Sequence, residues 1–327
     1  MTPPDTPHPF HFAGLDLASD FALPGLSPAT GRVPAVLIRR GAVPTALTGD
    51  RNGAPHAETT PGEVLLLRPP HGRILVRDGR EMVVQEGPDG DRRALAEHVM
   101  GPGLATLVQQ RGHLVLHANV VAHPDAGCVA LVGGRRRGKS TLSVLLRMFG
   151  YELWADDTAV ITWNADGATV VHAGTRRAKL TRAAAAGTPA LGRKREYVPS
   201  FEKFVEVTDP PDSPEGPRVL RHVVLLERGR AERFSRVDPV QATRMLAHHV
   251  YGRRRVAGMG LSSSTFRQCV RLAGSVPMAR YRRRFKETTA LESAAALASW
   301  LRDRAVEAGR SAELHYALAA PPKGVPA

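Results

Sequence analysis

The sequence is nearly without cysteine: Cys128 and Cys269 are its only two thiols in 327 residues. They lie far apart, with no second cluster of ligand-type residues nearby, which excludes a disulfide framework and a thiolate zinc site. A reducing cytoplasm fits that usage. No apolar run approaches the ~18 residues that span a bilayer, and the Pro- and His-rich start has no basic-then-apolar signal pattern. A soluble, cytoplasmic protein without a membrane partner is expected. Acid is also in deficit, with 31 Asp and Glu against 45 Lys and Arg, a formal charge of +14. That excess draws nucleotides, phosphorylated groups, acidic peptides or nucleic acid. An Arg-rich composition in an Ala, Gly and Pro background explains it equally well. Zinc fingers, helix-turn-helix patterns and aromatic-interleaved basic motifs are all missing, so no specific nucleic-acid partner is expected. There is no internal repeat.

The length allows about two domains, each able to bury a core. Residues 1–95 read as a small β-rich domain. Phe10 and Phe12 alternate with other residues, and Ala35-Val36-Leu37-Ile38 and Val64-Leu65-Leu66-Leu67 are short apolar runs between Pro and Gly turns. Ile74-Leu75-Val76 and Met82-Val83-Val84 flank Asp78-Gly79, a pair suited to a tight primed hairpin turn. Residues 96–307 then change period. Leu104, Leu107 and Val108 recur at helical spacing up to Gly112; Leu114-Val115-Leu116 and residues 128–132 read as buried strands. An amphipathic helix carries Leu142, Leu145, Leu146 and Phe149 and stops at Gly150, and residues 151–155 resume a strand. A second hairpin joins residues 160–163 and 169–171 across Asp166-Gly167. Strands are expected at 204–207 and 219–226, helices at 239–249, 265–273 and 290–304, a mobile basic loop at 183–195, and a flexible tail at 308–327.

Between the strand ending at Val132 and the helix lies Gly133-Gly134-Arg135-Arg136-Arg137-Gly138-Lys139-Ser140. It satisfies G-x-x-x-x-G-K-[ST] in the strand–helix context that the chemistry demands. Glycines let successive backbone N–H groups turn inward onto phosphate oxygens, and the helix N-terminus, Thr141 included, adds a favourable dipole. Lys139 would reach the β- and γ-phosphates of ATP, and the Ser140 hydroxyl would ligate Mg²⁺. The three arginines must turn their side chains out of such a cradle, towards a second substrate or into solvent.

Asp156 and Asp157 follow the strand at 151–155, where α/β folds place their chemistry. Adjacent residues of an extended chain point opposite ways, so one carboxylate can face metal and phosphates and the other an incoming hydroxyl. Turn capping is the plainer reading of the pair. His117 ends the strand before the glycine-loop strand, a position that suits either a structural role or orientation of a carboxylate or phosphate.

Leu116-His117-Ala118, the glycine loop and Gly150-Tyr151-Glu152-Leu153-Trp154-Ala155-Asp156-Asp157 together resemble HPr kinase/phosphorylase. The resemblance spans about residues 114–161. It implies an α/β fold with a P-loop nucleotide-binding domain of the HPr-kinase type behind the β-rich N-terminal domain. It also implies that Lys139 binds phosphate, Ser140 binds Mg²⁺, Asp157 is the catalytic base and His117 supports the site; Asp156 is then expected nearer the metal, as a ligand or one contact removed. Residues 175–195 carry no acidic residue, so a second metal ligand is left open. The whole layout, with Phe12-Ala13-Gly14-Leu15, Leu23-Pro24-Gly25-Leu26, Val223-Val224-Leu225-Leu226-Glu227 and Val276-Pro277, is similar to HPr-kinase-like proteins encoded with ribosomally made peptides such as lasso peptides. That implies a peptide or small-protein substrate presenting a Ser or Thr hydroxyl. The basic clusters at 135–137, 193–195 and 280–284 are expected to border the site and favour an acidic partner. An ATPase or nucleotide switch without an acceptor is the competing class, and a homo-oligomer stays open.

Overall fold

A computed structural model describes residues 7–48, 52–54, 56–190, 194–199, 202–208, 215–284 and 289–319. The N-terminal region is a nine-stranded sheet made of β1 (His8–Phe12), β2 (Leu15–Ser19), β3 (Ser27–Pro28), β4 (Val36–Arg40), β5 (Asn52–Ala54), β6 (Ala57–Thr59), β7 (Glu63–Arg68), β8 (Gly72–Arg77) and β9 (Glu81–Glu86). The order is β3-β1-β2-β4-β9-β8-β7-β6-β5. Asp78 and Gly79 have φ of 49° and 62°, the two left-handed positions a type I′ turn needs, and Val76 faces Met82 across it. Two helices follow, α1 (Arg92–His98) and α2 (Leu104–Gln110), joined by a π turn around Pro102. The Arg-rich start of α1 hid it from the sequence pattern; Asp91 caps it by accepting from the Arg93 amide.

The second sheet is curled and mixed. Its strands are β10 (Leu114–Leu116), β11 (Ala118–His123), β12 (Gly127–Val132), β13 (Glu152–Ala155), β14 (Ala159–Trp163) and β15 (Thr169–Val171), with β19 (Arg218–Arg228), β20 (Arg233–Arg236) and β21 (Met278–Arg283). The order is β10-β14-β15-β19-β12-β11-β13, and β21 joins β19 to β20. A small three-stranded sheet holds β16 (Arg177–Leu180), β17 (Arg195–Val198) and β18 (Lys203–Val207). Helices α3 (Lys139–Leu146), α4 (Arg182–Ala186), α5 (Pro239–His248), α6 (Arg253–Gly258), α7 (Ser262–Ser275) and α8 (Ala290–Ala319) complete the chain. None is long and apolar enough to cross a membrane among the described residues.

Strand direction positions the site. β12 runs parallel to β19, and β19 to β21. β11 is antiparallel to both β12 and β13, so β13 points the same way as β12. The C-terminal ends of β13, β12, β19 and β21, and the start of β11, therefore share one sheet edge. β12 is apolar on both faces because both are covered. Cys128, Ala130 and Val132 enter the cluster shared with the N-terminal sheet, while Val129 and Leu131 pack with Leu142 and Leu145 of α3 and Leu297 and Leu301 of α8. Cys128 and Cys269 are buried and free, and burial pushes both thiols up to about 12.

Three expectations change here. The sheets divide near residue 95, but the core does not: Phe12, Leu17 and Met82 belong to the same buried cluster as Leu116, Val160 and Ile161. Helix α8 continues to Ala319, so residues 308–319 extend the helix rather than forming a tail; after Gly309 the first breaker is Pro321. Residues 320–327 lie outside the described residues. His117 occupies the bend between β10 and β11, and β11 intervenes before the glycine-loop strand.

Candidate functional site

The loop 133–138 leaves the end of β12 and opens directly into α3. Two of its glycines are required, Gly133 by its approach to backbone and Gly138 by its left-handed φ. A Cβ at Gly133 (φ 157°) would stand 2.9 Å from the Leu226 carbonyl oxygen, and one at Gly138 (φ 81°) would stand 2.2 Å from Arg283 Nη2. Gly134 completes the turn, in which the Arg137 amide donates to the Gly134 carbonyl at 3.3 Å. Arg135 and Arg136 are exposed and Arg137 is half-buried, the outward projection that the cradle geometry demands. Arg283 secures the far side, donating from Nη2 to the Arg137 carbonyl at 2.7 Å. Lys139 is buried, and its ammonium donates to the Gly133 carbonyl at 2.7 Å. Burial pulls its pKa down while Asp157 and Asp156 pull it up. Ser140 and Thr141 are half-buried in the first turn of α3.

Asp156 and Asp157 stand two strands away, at the end of β13. The Thr158 amide donates to the Asp156 carbonyl at 2.7 Å and Asp157 has a φ of 61°, a tight three-residue turn with its centre in the left-handed region. Such backbone is uncommon outside glycine and clusters at functional sites. The turn gives the two carboxylates different surroundings. Asp156 is buried, and its Oδ1 accepts from Asn119 Nδ2 of β11 at 2.6 Å. Its Oδ2 has no hydrogen-bond partner. Burial, reinforced by the Asp157 charge, pushes its carboxyl up to about 8. Asp157 is partly open. Burial would raise it too, but Lys179, then His117, Lys139 and Lys203 hold it below the usual carboxylate range. The pair is thus split into a protonated acid and an ionised base near neutral pH.

That split gives a stability prediction. Asp156 has a native pKa above its unfolded one, so between about pH 4 and about pH 8 the native state keeps a proton that the unfolded chain loses. Its contribution is fully present below the unfolded pKa and is lost as pH rises to about 8. Asp156→Asn keeps an oxygen for Asn119 and cannot ionise. In urea unfolding at pH 5, 7 and 9, the variant should gain on the parent protein as pH rises; parallel profiles would contradict the burial of an ionisable group there.

The sequence reading missed the residues around Asp157. Lys179 Nζ lies 3.8 Å from Asp157 Oδ2 and 3.0 Å from Glu97 Oε2, and these charges raise its pKa despite burial. Arg177 pairs with Glu97 as well. The period of β16 puts Arg177 and Lys179 on one face, a signal visible in Arg-Ala-Lys-Leu, but Glu97 comes from α1 and no local pattern links them. His117 Nδ1 is 3.9 Å from Asp157 Oδ1. Its backbone amide donates to the His249 carbonyl at 2.8 Å, and its ring tilts against Tyr251 at 5.7 Å. Burial first, and Lys139 second, lower the His117 pKa, leaving a neutral imidazole beside an ionised carboxylate. Among the described residues no three His, Cys, Asp or Glu side chains form a metal cluster.

The basic clusters divide. Arg193 lies outside the described residues. Arg195 is not a mobile docking residue: it sits in β17, pairs with buried Glu206 at 2.8 Å, and donates to the carbonyls of Ala185, Thr188 and Pro189. Those bonds reflect the alternation of β17 against β18, which sets Arg195 opposite Glu206. Arg195→Ala should therefore cost about 3 kcal/mol of stability by stripping a buried carboxylate of one partner, measured by denaturant unfolding. A loss below about 0.5 kcal/mol would make it a solvated surface residue.

Comparisons with known proteins add little to these contacts. No protein-family profile and no curated protein sequence matches the chain. Among solved structures it is similar to the Hpr(Ser) kinase/phosphatase from Coxiella burnetii. The similarity has 12% identity and a TM-score of 0.34, over 63% of this chain and 99% of that one. At so low a score no residue role transfers, and the roles below come from this chain's own side chains.

Proposed function

We propose that the chain is an ATP-dependent kinase that transfers the γ-phosphoryl group to a Ser or Thr hydroxyl of a peptide or small protein. The observation that carries this reading is the meeting, at one sheet edge, of Lys139 from a glycine-bounded strand–helix loop with an ionised Asp157 flanked by His117 and Lys179. The backbones of Gly133, Gly134, Arg135, Arg136, Arg137 and Gly138 and the first turn of α3 would line the phosphates. Lys139 would exchange its Gly133 carbonyl for phosphate oxygens. Ser140 Oγ and the unpaired, buried Oδ2 of Asp156, which would give up its proton on binding the cation, are hard oxygen donors that fit Mg²⁺, which commonly takes one or two protein ligands and fills its shell with water and phosphate. The ion would supply charge neutralisation. Asp157 would accept the proton of the attacking hydroxyl as the new O–P bond forms and the bond to the nucleoside diphosphate breaks. Lys179 keeps that carboxylate ionised, and the neutral His117 ring stands beside it.

The resemblance to peptide-cluster kinases makes a ribosomal precursor peptide the substrate we favour, and a reducing cytoplasm the compartment. One observation favours the alternative, an ATPase or nucleotide switch without an acceptor. The cavity bordered by Asp156, Asp157 and Lys179 holds about 10 Å³, room for one water and no peptide hydroxyl. Incubation with γ-labelled ATP and a lysate of the source organism separates the two. Label on a small peptide supports the kinase; label released only as inorganic phosphate overturns it.

A further inference from the structure

The outer face of β20 and β21 is dense in arginine. Register sets Arg233 opposite Arg282 and Ser235 opposite Arg280, so alternation gathers Arg233, Arg280 and Arg282 on one face. Phe234 and Tyr281 point inward, stacked at 4.2 Å, and Phe234 stacks on Trp300 at 5.0 Å. Two open cavities flank this ribbon. One of about 570 Å³ is lined by Arg233, Arg236, Arg280 and Arg282; the other, about 490 Å³, lies between Arg228, Arg230, Arg233 and Arg282. Counter-charge is sparse. Glu227 serves both Arg280 and Arg282, and Asp238 is committed to capping α5 through the Val240 and Gln241 amides. Arg233 and Arg236 are exposed, and neither forms an ion pair among the described residues. Charge on an edge strand deters strand-to-strand association, but that does not explain β21, which is paired on both sides.

The ribbon adjoins the glycine loop. β12, β19, β21 and β20 are successive neighbours, and Arg283 of β21 bonds the loop at the Arg137 carbonyl. Three strand spacings make ~14 Å, which an extended peptide covers in about four residues. We propose that the ribbon docks an acidic segment of the substrate peptide, with the accepting hydroxyl about four residues away at the loop. This names the substrate of the kinase reading and rests on it. Nucleic acid fits the face less well, because its aromatics are turned inward and offer no surface on which bases stack.

The test uses the full chain and a fluorescein-labelled peptide with one Ser four residues from a Glu-Glu-Asp run. A neutral version carries Gln-Gln-Asn. Arg233→Glu with Arg236→Glu should weaken acidic-peptide binding about tenfold or more, measured by fluorescence anisotropy, because two attractive contacts become repulsive. Fluorescent-ATP binding should not change. Parent binding should fall steeply as salt shortens the screening length from ~10 Å at 0.1 M to ~3 Å at 1 M. The matched control is Arg253→Glu with Arg254→Glu, exposed on α6 beside the N-terminal sheet, and it should bind as the parent does. Equal affinity for the neutral peptide, no loss in the ribbon variant, an equal loss in the control, or tighter binding of a single-stranded oligonucleotide of equal charge would each overturn the docking surface. A peptide that docks through the ribbon but never gains phosphate leaves the surface standing and overturns the kinase reading alone.

Discussion

Replacing Lys139 by Ala lowers phosphoryl transfer by roughly 10³-fold and leaves the chain folded, if the loop 133–138 holds phosphate. The magnitude is that of removing one preorganised cationic donor from a charged transition state. Folding should survive because the ammonium makes one hydrogen bond, to the Gly133 carbonyl, and no core cluster depends on its charge. The loss should appear both in nucleotide affinity and in turnover, since Lys139 would touch the phosphates before and during transfer. Fluorescent-ATP titration, turnover and thermal unfolding of parent and variant check each part. Unchanged turnover would remove the loop from the chemistry.

Asp157→Asn should lower turnover by ~10²-fold or more with nucleotide affinity nearly unchanged. Asparagine matches the carboxylate in shape, tolerates the left-handed backbone at φ 61°, and cannot take a proton at neutral pH. The surrounding cations hold Asp157 below the usual carboxylate range, so the base stays ionised at neutral pH and its acid limb falls below that range too. Lys179→Met should raise that limb, because Lys179 is the first of the charges that pull the pKa down. A loss of ATP affinity in Asp157→Asn equal to the loss of turnover would instead make Asp157 the metal ligand and exchange its role with Asp156.

Local signals were legible in the sequence. Both Asp-Gly hairpins, the buried strand β12, the glycine-bounded loop and the helix ending at Gly150 stand where turn chemistry and periodicity put them. Each depends on residues within about ten positions of one another. What was illegible came from pairing across the chain. Nothing near Asp157 in sequence announces Lys179 or Glu97, which reach it through β16 and α1. Asn119 reads as an ordinary strand polar residue until β11 sets it beside Asp156. The basic segments looked alike by composition, yet Glu206 draws Arg195 into a buried ion pair while Arg233 and Arg236 face solvent. Arg283, in a run of arginines, is buried as a brace for the loop.

The most direct measurement of the central claim follows γ-labelled ATP through one turnover in parent, Lys139→Ala and Asp157→Asn proteins, with phosphoamino-acid analysis of the Ser peptide. The predicted result is phosphoserine from the parent, no bound nucleotide or product from Lys139→Ala, and bound nucleotide without phosphoserine from Asp157→Asn. Phosphoserine at the parent rate from either variant would contradict a single site built from the loop and the acidic pair.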